Sequence, residues 1–173
     1  MARRYPTKVL IAWGEAISGN GELRKWLLGH GYPELGLFVH AMHNQSEART
    51  WLINEGFPEL MALCGGSEGD PRAVQWLRNH NHPVLALMAL AADNDDDAMR
   101  ELIQGHGRIW ASLALKIRSI KNGIEERHND WHSFGRDWRI QEGVEKVKLL
   151  RDSGASHALA TSNKSEAWRA SIA

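Results

Sequence analysis

The segment Trp51-Leu52-Ile53-Asn54-Glu55-Gly56-Phe57-Pro58-Glu59-Leu60 decides the fold, because its pattern recurs 25 residues to either side. Trp26-Leu27 precede Pro33 and Leu35, and Trp76-Leu77 precede Pro83 and Leu85, at the same spacing and without a gap. A fixed period in this range signals stacked supersecondary units, each of which buries its apolar face only against its neighbours.

Four units align without insertions: 8–32, 33–57, 58–82 and 83–107. The first half of each carries Leu10/Leu35/Leu60/Leu85, then Trp13/Phe38/Leu63/Met88, then the small row Ala16/Ala41/Gly66/Ala91. Steps of three residues place these rows on one face of a short helix, and the small row lets neighbouring helices approach closely. The second half opens on a helix-start signal, clearest at Asp70-Pro71, with Ser46 and Asp95 near the same place in their units. There Asp can accept from free N–H groups, and Pro loses nothing by lacking one. The row Leu23/Ala48/Ala73/Ala98, the Trp row and Leu27/Leu52/Leu77/Leu102 follow. Gly31 and Gly56 then stand where a left-handed helix-ending residue belongs. Each unit reads as a helical hairpin of about ten and about nine residues, too short to persist alone in water. The Trp row is expected to form a buried ladder between units, each ring contributing roughly 2–3 kcal/mol if fully buried. Glu101 interrupts that row in the fourth unit, as terminal repeats commonly do.

The stretch from Pro83 to Gly107 (Pro-Val-Leu-Ala-Leu-Met-Ala-Leu-Ala-Ala-Asp-Asn-Asp-Asp-Asp-Ala-Met-Arg-Glu-Leu-Ile-Gln-Gly-His-Gly) resembles the two helices of an ankyrin repeat. It lacks the β-hairpin and the Thr-Pro-Leu-His opening of that unit. The resemblance covers residues 8–107 and implies a rod-like scaffold that binds partners through its surface; it carries over no catalytic residue.

Beyond Gly107 the period fails. Ile109, Leu113, Ile117, Ile120 and Ile124 predict one longer amphipathic helix to about Arg127. A loop-like stretch, 128–138, precedes a further helix around Val144, Val147 and Leu150. Residues 108–152 read as a cap on the hydrophobic end of the repeats, and 153–173 as a loosely held Ala/Ser-rich tail. The fold class is therefore all-α: a solenoid of four stacked hairpins with a C-terminal helical cap.

Composition adds limits. Hydrophobic residues make up 43% and charged residues 24%, ordinary for a globular chain. The single cysteine, Cys64, excludes an internal disulfide framework. Val9 to Ile17, broken by Gly14 and Glu15, makes a poor signal-peptide core, and no uncharged apolar run approaches the ~20 residues of a membrane span. A cytoplasmic location is expected. The net charge of zero conceals an asymmetry: −4 over residues 1–107 and +4 over 108–151.

Candidate sites are weighed against plainer readings. His128 and His132, with Asp130 between them, share a face if helical and could grip a divalent ion; two hydrogen-bonded histidines near a helix end explain the same letters. His80 and His30 occupy equivalent turns two units apart and read as turn decoration, too distant to share an ion. Gly14 to Gly21 reads as the first inter-helix turn and not as a phosphate loop. The acids from Asp93 to Asp97 suit a helix start better than a calcium loop. Cys64 reads as a packed small residue. No cofactor and no enzymatic activity are expected, a small metal-dependent enzyme around His128, Asp130 and His132 being the third reading after the two that follow.

The leading expectation is a protein-interaction scaffold that binds through first-helix positions outside the core rows: Glu34, Gly36, His40 and His43; Glu59, Met61 and Glu68; Val84, Ala86, Leu90 and Asp93. The alternative is nucleic-acid binding through the basic stretch Arg108, Lys116, Arg118, Lys121 and Arg127, continued by Arg136, Arg139, Lys146, Lys148 and Arg151, with Trp110, Trp131 and Trp138 to stack bases. That stretch could equally be a solvated face, or could pack against the acidic repeats.

Overall fold

Turn chemistry sets the helix boundaries. The structure, a computed structural model, describes residues 5–127, with side chains through Ile124. Its described residues are helical, with no strand: α1 (Thr7–Ile17), α2 (Gly21–Gly29), α3 (Pro33–Met42), α4 (Ser46–Asn54), α5 (Pro58–Ser67), α6 (Pro71–Asn79), α7 (Pro83–Ala92), α8 (Asp96–Glu101) and α9 (Arg108–Arg127). Gly19, Asn44, Gly69 and Asn94, 25 residues apart, all take positive φ between α1–α2, α3–α4, α5–α6 and α7–α8. Gly31, Gly56 and Asn81 do the same after α2, α4 and α6. Glycine and asparagine are the residues that reach this region at least steric cost, so the backbone obeys the period even where side chains differ. After α8 a single π turn, Leu102–His106, follows, and the next positive-φ residue is Gly107, one place later than the period puts it.

Helix starts follow the same logic. Asn20, Asp70 and Asp95 each accept from backbone N–H groups of the helix they precede. Gln45, not Ser46, occupies this place before α4, without a side-chain cap. Pro33, Pro58, Pro71 and Pro83 stand in the first turns of their helices. The first inter-helix turn is shorter than expected, because Gly14 to Ile17 still belong to α1.

Each odd helix packs against the even helix that follows it and, through it, meets the next odd helix. The odd helices also touch one another in series, α1 to α3 to α5 to α7. The small row works as its spacing predicts: a Cβ on Gly66 would lie 2.8 Å from the Ala89 Cβ of α7 and 3.1 Å from Val74 of α6. Trp13 and Phe38, successive members of their row, meet edge to face with centroids 5.2 Å apart. Both are buried, as are Leu63 and Met88.

The Trp row behaves differently from expectation. No ladder between units forms; each ring stacks on the turn of its own unit. Trp26 lies on Tyr32, Trp51 on Phe57 and Trp76 on His82, six residues ahead each time, with centroids 5.8–6.3 Å apart. Trp26 and Trp76 also stack on His30 and His80. In both cases the histidine Nδ1 stands 2.8 Å from the tryptophan carbonyl. A carbonyl only accepts, so Nδ1 carries the hydrogen, and each histidine closes the end of its helix. Trp51 is buried, while Trp26 and Trp76 are half-buried.

α9 runs against the inner side of the odd helices and contacts all four, chiefly α7 and α1. It therefore bridges α1 and α7, while residues 128–152 of the expected cap lie outside the described residues. Ala111, Leu113, Ala114 and Ile117 form its buried face, and each large aliphatic there contributes about 1.5–3 kcal/mol. The expected helix around Val144–Leu150 and the tail 153–173 lie outside the described residues. No described helix is long and apolar enough to cross a membrane.

Candidate functional site: an aromatic cleft where α1, α5, α7 and α9 meet

Because α9 closes over α1 and α7, odd helices are enclosed on several sides. Several of the variable positions expected to form an open surface are accordingly buried. In α3 every residue from Glu34 to Met42 is buried, and in α5 every residue from Leu60 to Ser67. Glu34 is 3% exposed and accepts from the Tyr5 hydroxyl at 3.0 Å. His40 is buried too, and its pKa is lowered, first by burial and then by Arg24 and His43, against a hydrogen bond to the Gln45 side chain that favours the charged ring. Met61 and Ala86 are core residues, and Gly36 approaches Leu28 closely. Of that set, His43 is exposed, Glu59, Val84, Leu90 and Asp93 are partly so, and the Glu68 side chain is largely buried.

The last two acids belong to a row at the C-terminal ends of the odd helices, where carbonyl dipoles disfavour negative charge. Cations answer each one. Arg49 of α4 pairs with Glu68, and Lys121 of α9 with Asp93. Lys116 reaches Glu15 at 3.0 Å and the Ser18 hydroxyl at 2.7 Å. Arg118 donates from Nε to the Ala91 carbonyl at 2.9 Å, closing α7, and approaches Asp96 at 3.7 Å. Three of the basic residues considered for nucleic acid thus engage the acidic repeats. Arg108 is exposed. The Arg127 side chain, Arg136 to Arg151, Trp131 and Trp138 lie outside the described residues.

The other metal and nucleophile candidates resolve simply. His128, Asp130 and His132 also lie outside the described residues. Among those described, no group of three or more His, Cys, Asp or Glu side chains is arranged to hold a metal ion. Asp95 caps α8, Asp96 and Asp97 occupy its first turn, and Asp93 ends α7. Cys64 is buried within 3.8 Å of the Ala41 carbonyl and 3.6 Å of Glu68. Burial and the Glu68 carboxylate push its thiol far up, against Arg49, so it is not poised as a nucleophile.

The feature with binding character lies toward the opposite ends of α5 and α7. There Glu59 and Leu60 from the first turn of α5, Asn81 and His82 from the turn before α7, and Pro83, Val84 and Leu85 of α7 border a cleft of about 340 Å³. Tyr5, Trp13 of α1 and Trp110 of α9 complete its walls. The lining is mostly apolar, with Glu59 the carboxylate and His82 the imidazole. Burial lowers the His82 pKa; Glu59 acts in the opposite sense and His80 adds to the lowering. The cleft volume sits at the low end of the ~300–1,000 Å³ typical of ligand pockets.

Of these residues only Glu59 and Val84 stood in the sequence-derived surface. Tyr5, Trp13, His82 and Trp110 come from separate segments, and no local spacing unites them. One signal was available: Val9/Glu34/Glu59/Val84 form a row at the helix starts in which two members are carboxylates and two apolar. No family model matches this chain, and no curated protein and no solved structure matches it.

Proposed function

We propose that the chain is a non-enzymatic recognition module: a solenoid of four stacked helical hairpins, 8–107, whose first and last units are bridged by α9, binding its partner at the aromatic cleft. The observation that carries this reading is the cleft, a concave, mostly apolar site with few polar groups, assembled by the contacts that hold α9 in place. Among its lining residues the Tyr5 hydroxyl is engaged by Glu34, and no serine, cysteine or lysine is present to act as a nucleophile. The exposed faces of the even helices, with Glu22, Lys25, Arg72 and Arg78, supply solvation.

A fragment screen followed by amide and indole NMR tests the proposal. Bound fragments should shift Val84, Leu85 and the Trp110 indole, and leave the even-helix residues Thr50 and Gln75 unmoved. Fragments that gather elsewhere, or an absence of binders, would refute the cleft as the recognition site.

A further inference from the structure

The wall chemistry of the cleft narrows its ligand, in an argument that rests on the recognition reading above. We propose that the cleft takes an organic ammonium ion, tertiary or quaternary, with short apolar substituents. Two half-buried aromatic side chains, Tyr5 and Trp110, share its lining with the buried Trp13 and one carboxylate, Glu59, and among the described residues no lysine or arginine lines it. Aromatic faces attract cations through the ring quadrupole, most strongly for tryptophan and where water is excluded. Leu60, Pro83, Val84 and Leu85 provide the apolar contact that alkyl groups on nitrogen need.

Competing ligand classes fit less well. A metal ion requires several oxygen donors, and the lining offers the Glu59 carboxylate and the Asn81 amide. An anion would face the Glu59 carboxylate, with no lysine or arginine among the described lining residues to compensate. Burial of the His82 imidazole disfavours its charged form, so it is a weak partner for an anion. A neutral apolar ligand would cover the Glu59 carboxylate without neutralising it, which costs desolvation. An alkylated ammonium satisfies the rings, the aliphatic walls and the acid together.

The test is calorimetric and NMR titration of the full chain with tetramethylammonium and choline, beside the uncharged tert-butyl isostere of choline. The ammonium ions should bind about ten-fold tighter than the isostere and shift the Trp110 indole. Glu59→Gln and Trp110→Leu should each weaken them by about ten-fold; Glu59→Gln keeps the shape of the site should Trp110→Leu unfold. A peptide carrying trimethyllysine, against the same peptide with plain lysine, separates the two sources of such a group. Tighter binding than choline assigns the group to a modified protein, and weaker binding assigns it to a free small molecule. Equal or tighter binding of the isostere would overturn the ammonium assignment while leaving the cleft as a recognition site. Failure of ammonium ions and apolar fragments alike would remove both.

Discussion

Arg49 and Glu68 form an ion pair between α4 and the end of α5, and both side chains are largely buried, at 14% and 5% exposure. The same guanidinium donates from Nε to the Ala41 carbonyl at 3.0 Å, in the last turn of α3. One side chain thereby closes two helix ends and compensates a carboxylate placed where the helix dipole opposes it. Removing one partner of a buried pair leaves the other uncompensated, so Arg49→Met is expected to cost about 3 kcal/mol by denaturant unfolding. Arg49→Met with Glu68→Gln should recover part of that loss. Equal stability of Arg49→Met and wild type would show that the pair does not hold the units together.

The close approach at Gly66 gives a second test. Alanine there would place a Cβ 2.8 Å from the Ala89 Cβ, and neither atom can rotate away. Gly66→Ala should destabilise by about 1–3 kcal/mol, the usual range for overpacking. Gly21→Ala meets nothing within 4 Å and should be neutral or stabilise by up to about 1 kcal/mol through the unfolded state. A reversal of that order in thermal melts would mean the packing of α5 on α7 is not as described.

Asn94 probes the turn that the repeat demands. Its φ is 69°, and Asn94→Ala should cost about 1 kcal/mol, whereas Asn94→Gly should leave Tm near that of the wild type. Equal melting of the alanine and glycine variants would argue against a left-handed residue at this position.

Histidine burial makes stability depend on pH. His40 and His82 both have lowered pKa values in the folded chain, chiefly through burial. Between those values and the unfolded value near ~6.5, the unfolded state binds more protons, so stability rises with pH. The contribution is complete above about pH 6.5 and is lost as pH falls through the folded values. Melting should therefore occur at lower temperature at about pH 5.5 than at about pH 7.5, and His40→Gln should flatten part of that difference. An undiminished difference in His40→Gln would place its source elsewhere.

These tests also mark what was legible in the sequence. Helix positions were, because the glycines and asparagines at 19, 44, 69 and 94 and the prolines at 33, 58 and 83 are local devices acting on their own backbone. The inward rows at Trp13/Phe38 and Gly66 were legible for the same reason: spacing fixes the face of a helix. Spacing does not fix the direction of a ring, so the tryptophans were expected to stack between units when each reaches its own turn. Nor does it show what covers a face. Glu34, His40 and Met61 looked free because the layers around them, including α9, come from distant segments. The cleft escaped notice on the same ground, since Trp110 and Val84 meet only after α9 has docked.

Everything proposed for the cleft depends on α9 being part of the same cooperative body as the repeats. Hydrogen exchange on the full chain tests this most directly. Amides from Ala111 to Lys121 should share the slow exchange of the buried helices α3 and α5, because Leu113, Ala114 and Ile117 of α9 are themselves buried. Fast exchange across α9, with α3 and α5 still protected, would contradict the account: α9 would then be a loosely attached helix, and the cleft would lack its Trp110 wall.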